Sequence, residues 1–120
     1  MRPLRWGMIG GGEGAFIGNV HRMAARVDGR YQLVAGVFSS DAEKCKRSAT
    51  ALGVDVARAY PTVEAMVAAE AKRPDGVEVV SVVTPNHVHY VQSKTLLEAG
   101  IDVICDKPLT TNLADAEKLL

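Results

Sequence analysis

Four short, almost unbroken apolar runs, separated by stretches with helical period, constrain this chain more than any other feature. They are LRWGMIG (4 to 10), YQLVAGVFS (31 to 39), VEVVSVVT (77 to 84) and IDVICD (101 to 106). A strand that is apolar on both faces must be covered on both faces, which suits a parallel sheet between helix layers. The intervening stretches supply the helices. Ile17, Val20, His21, Ala24 and Ala25 share one helix face. SDAEKCKRSATALG opens with Ser40 and Glu43 at capping-box spacing and closes on Gly53. TVEAMVAAEAKR follows Pro61, and NHVHYVQSKTLLEAG ends on Gly100. A weak extra strand, ARAY (57 to 60), is expected between the second and third helices. The alternation predicts right-handed crossovers and an α/β fold with a doubly wound parallel sheet.

Composition narrows the functional classes. The 120 residues are 48% hydrophobic, enough for one domain with its own core. Fourteen basic residues balance fourteen acidic ones without forming a stripe, so nucleic acid is not an expected partner. No apolar run is long enough for a membrane span and none reads as a signal peptide, which points to a cytoplasmic protein. Cys45 and Cys105 lie far apart, with no CxxC and no histidine at ligand spacing. They read as reduced thiols, Cys105 as a small core residue, and no metal site is expected. TTNLADAEKLL begins a last helix at a Thr/Asn cap, with Leu113, Ala116 and Leu120 on one face. It carries no stop signal, so residues 1 to 120 read as the first domain of a longer two-domain protein.

In an open parallel sheet, ligands bind beyond the carboxyl ends of the strands, where strand order reverses. Three unusual stretches sit at such ends: GGGEGAFIG, TPNHVH and CDKP. In the first, Gly10, Gly12 and Gly14 permit tight turning and close approach, and Phe16 and Ile17 open a helix whose N–H groups suit a phosphate. No GK[ST] follows, so it is not a nucleotide-triphosphate loop, and a dinucleotide is the fitting ligand. The position that reads the adenosine ribose holds Ser39 rather than an acid. Ser39, Ser40 and Lys44 can accept a 2′-phosphate, which leans the choice between NAD and NADP towards NADP; equally, they can be a helix cap and a solvated lysine. In TPNHVH, Thr84, Pro85, Asn86 and His89 stand at the mouth of the same crevice, with Asn86 also a helix cap. His89, in a first helical turn, reads as neutral. His87 reads as surface and His21 as a packed core histidine. Asp106 and Lys107 read either as a structural ion pair or as catalytic groups.

Together, GMIGGGEGAFIGNVHRMA, VVTPNHVH and AGIDVICDKPLT resemble the N-terminal domain of the glucose–fructose oxidoreductase, inositol dehydrogenase and MocA family, over essentially the whole chain. The resemblance implies a Rossmann-like NAD(P)-binding domain. It implies that Lys107 lies beside the nicotinamide and the reacting carbon, that Asp106 holds the nicotinamide ribose, and that Thr84, Asn86 and His89 line the cofactor. The substrate implied is a sugar, a polyol or a related carbonyl compound, and the full-length protein is implied to be a homo-oligomer. Two departures stand out: the family's usual Glu-Lys-Pro is Asp106, Lys107, Pro108 here, and three residues are inserted around Glu13 if Gly18 is the third glycine. Beside a phosphate loop, a catalytic Lys107 is the better reading, and its burial would tune it for acid–base work. The isolated domain would bind cofactor without turning over. A non-catalytic dinucleotide sensor is the alternative, and a methyltransferase, with less use for Lys107, is a third.

Overall fold

A computed structural model describes residues 2–120. Four parallel strands form one sheet: β1 (Leu4–Gly10), β2 (Tyr31–Val37), β3 (Val79–Val83) and β4 (Asp102–Cys105), in the order β2-β1-β3-β4. Five α-helices accompany them: α1 (Phe16–Arg26), α2 (Ala42–Ala51), α3 (Val63–Ala71), α4 (His89–Glu98) and α5 (Leu113–Leu119). The chain leaves β1 in one direction to reach β2 and returns past it to β3, so the strand order reverses between β1 and β3. Trp6 pairs with Leu33 on one side and Val79 on the other, and Val80 pairs with Val103.

The near-continuous hydrophobicity of the strands is used on both faces. Ile9, Val80 and Val82 point into one apolar cluster with Met66 of α3 and Leu96 of α4. Trp6, Met8, Val79 and Val83 point into the other, with Cys45 and Ala49 of α2 and, at its margin, Ile17 of α1. No helix among the described residues is long and apolar enough to cross a membrane.

Several local expectations shift. ARAY forms no strand: Ala59 makes a single parallel bridge to Gly36, beside a 3-10 turn at Val56–Arg58 capped by Asp55. The reason is Arg58, which turns inward to a buried ion pair with Glu70 instead of extending along β2. That carboxylate also accepts from the Tyr60 hydroxyl and the Val77 N–H, tying the turn, α3 and the approach to β3 together. Helix α2 is capped by Asp41, not Ser40; its carboxylate accepts from the N–H groups of Glu43 and Lys44. Asn86 caps nothing through its side chain, because a 3-10 turn over Asn86–Val88 delays α4 to His89. Asn112 caps α5 as expected, but Leu113 and Leu120 face outward. Cys45 is buried, whereas Cys105 is only half-buried, and both are free thiols.

Candidate functional site

The carboxyl ends of β1, β2 and β3 open onto a crevice of about 620 Å³. It brings together Gly10 at the end of β1 and Gly12 just beyond it, Ser39, Ser40 and Lys44 after β2, and Thr84 and Pro85 after β3. The glycines are needed where the sequence put them. Gly10 and Gly11 have φ of 86° and 73°, backbone that costs an L side chain strain. A Cβ on Gly12 would lie 2.5 Å from the Phe38 carbonyl oxygen, and one on Gly18 would collide with the Cα of Gly11. The loop therefore packs directly on α1 and on the end of β2.

The helices differ in side-chain capping. Asp41, Thr62 and Asn112 cap α2, α3 and α5. The N-cap residues of α1 and α4, Ala15 and Val88, offer no side-chain acceptor. Backbone donors at a helix start need a partner, and an anion laid on the loop supplies one for α1. The glycine cradle and this uncapped start fit the pyrophosphate of a dinucleotide.

Other predicted residues stand elsewhere. Gly14 faces a smaller cavity on the other side of the loop, Phe16 is 80% exposed, and Ile17 belongs to the core margin. Asn86 is exposed. His89 does not line the crevice. It is 1% exposed, with Nδ1 2.7 Å from the Pro108 carbonyl oxygen and Nε2 2.7 Å from that of Thr84. It thus joins the loop after β3 to the loop after β4 from beneath, while His87 is exposed, as expected, at the crevice wall.

Asp106 and Lys107 follow β4, where the Asp106 N–H still bonds to the Val82 carbonyl. The two do not pair with each other. Asp106 Oδ1 lies 3.4 Å from Nε2 of His21, which reaches across from α1. Lys107 is exposed and has no ion-pair or hydrogen-bond partner among the described residues. The burial expected to tune it is not provided by this chain. His21 is the residue that sequence reasoning passed over; its position two residues from Asn19 and three from Gly18, in the helix that follows the glycine loop, was the available signal. No cluster of metal-ligating side chains occurs among the described residues.

Residues 4–120 match the family model described as an oxidoreductase family with an NAD-binding Rossmann fold. An oxidoreductase of Bacillus subtilis, YfiI, is 49% identical over 119 residues, covering 98% of this chain and 30% of its own. Among solved structures, an inositol dehydrogenase homolog from Azotobacter vinelandii, complexed with NADH and myo-inositol, superposes with a TM-score of 0.96 at 45% identity, over 98% of this chain and 31% of that one. An oxidoreductase from Sinorhizobium meliloti superposes with a TM-score of 0.92 at 55% identity, over 99% of this chain and 33% of that one. The chain thus spans about a third of the length of each.

Proposed function

The chain belongs to the glucose–fructose oxidoreductase, inositol dehydrogenase and MocA family, whose NAD-binding Rossmann domain it forms, and on that premise we propose that its protein oxidises or reduces a sugar, polyol or related carbonyl compound with Lys107 at the reacting carbon. Bound at the crevice, NAD supplies the hydride acceptor or donor. Gly10, Gly12 and the start of α1 hold its pyrophosphate; Thr84 and Pro85 flank the path towards β4. Asp106 accepts hydrogen bonds from the ribose hydroxyls, and His21 steadies the carboxylate. Lys107 presents a cation to the substrate oxygen, favouring the charge that develops there and holding its proton at Nζ.

The observation that carries this reading is the unpaired state of Lys107. A structural lysine would be expected to pair with the neighbouring Asp106, yet that carboxylate turns to His21 and leaves the ammonium free at the strand end. The polyol class is supported by the Azotobacter vinelandii homolog, which holds myo-inositol. The lean towards NADP drawn from Ser39 and Lys44 gains nothing from that neighbour, whose dinucleotide is NADH. Two free cysteines agree with a cytoplasmic setting. The test is NADH formation by the full-length protein on a panel of inositols, aldoses and nucleotide sugars. Turnover of one class is the expected result; tight NADH binding with no turnover on any would overturn it in favour of a dinucleotide sensor.

A further inference from the structure

Among the described residues, three side chains of fixed formal charge are buried: Arg22, Arg58 and Glu70. Arg58 and Glu70 neutralise each other. Arg22, 8% exposed on α1, has no acid partner. Its Nη1 donates to the Gly11 carbonyl at 2.7 Å and lies 3.2 Å from Met8 Sδ. Its Nε and Nη2 have no partner among the described residues, and the guanidinium lines a cavity of about 310 Å³ under the glycine loop, with Gly12, Gly14, Asn19 and Ser48. The acid at the rim of that cavity, Glu13, pairs with Arg47 instead. Burial, and then the like charge of Arg26 one turn on, pull the guanidinium below its ordinary pKa. A buried cation that nothing in the fold neutralises is destabilising unless something arrives to meet it.

The position says what arrives. Arg22 sits where the loop crosses α1: a Cβ on Gly11 would come 3.2 Å from Nη1, and one on Gly18 3.1 Å. We propose that Arg22 is the buried counter-charge of the dinucleotide pyrophosphate, a cation held behind the glycine loop that the ligand rather than the protein neutralises. The inference rests on the pyrophosphate lying on this loop. Attraction across one layer of backbone, from a side chain that is itself mostly buried, is screened less than between two surface charges. A plain structural role, in which Arg22 only tethers the Gly11 carbonyl, makes different demands, and the two separate by substitution.

In the full-length protein, Arg22→Gln keeps a donor for Gly11 and removes the charge, whereas Arg22→Lys keeps the charge. Affinities for NADH, ADP-ribose and adenosine are measured alongside thermal melts without ligand. Arg22→Gln is expected to melt no lower than wild type, to bind NADH and ADP-ribose about tenfold or more weakly, the size of a lost charge-assisted interaction, and to bind adenosine unchanged. Arg22→Lys is expected to stay within about threefold of wild type for ADP-ribose, less than one such interaction. Wild-type ADP-ribose affinity in Arg22→Gln, or equal losses for adenosine and ADP-ribose, would overturn the proposal. Should Arg22→Gln not fold, Arg22→Lys decides: a loss of tenfold or more despite retained charge would assign the residue to tethering. A wild-type protein that bound no NADH would overturn the site reading along with the inference; tight wild-type binding with an unaffected Gln variant overturns the inference alone.

Discussion

Nε2 of His21 on α1 lies 3.4 Å from Oδ1 of Asp106 at the end of β4, across 85 residues of sequence. The contact ties the helix that follows the glycine loop to the segment carrying Lys107. Asp106 is thereby held without engaging its neighbour.

Asp106→Asn in the full-length protein should weaken NADH binding about tenfold, the cost of poorer acceptors for ribose hydroxyls, with a smaller fall in kcat. His21→Phe should act in the same direction by a few-fold, since it leaves the carboxylate unsteadied, and His21→Gln should recover most of the loss. Calorimetric titration reads both. Unchanged affinity in His21→Phe beside a weakened Asp106→Asn would reduce His21 to packing.

Lys107→Met keeps the length of the side chain and removes charge and donors. Because Lys107 is exposed and unpaired, the melting temperature should stay close to wild type, as for an ordinary surface substitution of within about 0.5 kcal/mol. Cofactor affinity should hold while kcat falls on the order of 10² to 10⁴. Steady-state kinetics beside a melt separates the cases: wild-type turnover would end the catalytic assignment.

The contrast between these two neighbours shows what the sequence carries. The period of the strands, the glycine loop and the places where functional stretches end the strands are local patterns, and they fix the layers and the crevice. Which acid meets which base is not local. The partner of Asp106 lies on α1, and that of Arg58 is Glu70 on α3, reached only after the chain has turned. Likewise Ser39, Ser40 and Asp41 are three good caps in a row, so a one-residue shift of α2 was invisible to preference alone. His89 was legible as a group near the crevice, but its burial beneath two loops depends on Pro108, 19 residues on.

His89→Phe tests that position. The substitution fills the space but removes the ring nitrogens that lie 2.7 Å from the carbonyls of half-buried Thr84 and exposed Pro108, a loss of about 0.5–1.5 kcal/mol for a hydrogen bond removed. Since Pro108 directly follows Lys107, kcat should fall more than NADH affinity. A denaturant melt and kinetics on the same preparation check it; a variant as stable and active as wild type would show that the two contacts contribute nothing.

The carboxyls of Glu70, Glu78 and, through its hydrogen bond from Arg73, Asp75 are all held below their ordinary values, and the two glutamates show how the response to acid arises. Hydrogen bonds from Arg2, at 2.7 and 2.8 Å, and from the Arg5 N–H, at 2.8 Å, hold the Glu78 carboxyl at about 2, against 4.5 ordinarily. For Glu70, burial pushes the carboxyl up, but the hydrogen bonds from Arg58 and Tyr60 outweigh it and keep it below the ordinary value. In both, the folded state binds its proton later than the unfolded state. Their stabilisation is therefore fully present above 4.5 and lost as pH falls, for Glu78 through about 2. Urea midpoints should be flat near neutrality and drop below pH 4.5, where unfolded carboxylates begin to take up protons. Glu78→Gln, at an exposed pair, should cost little at neutral pH and blunt the drop by the same small amount. Glu70→Gln should blunt it too, yet cost up to about 3 kcal/mol at neutral pH, because buried Arg58 loses its close acid and keeps only Asp75, 3.9 Å away. If Glu70→Gln kept the neutral midpoint and the full acid drop, the buried pair would carry none of the stability assigned to it.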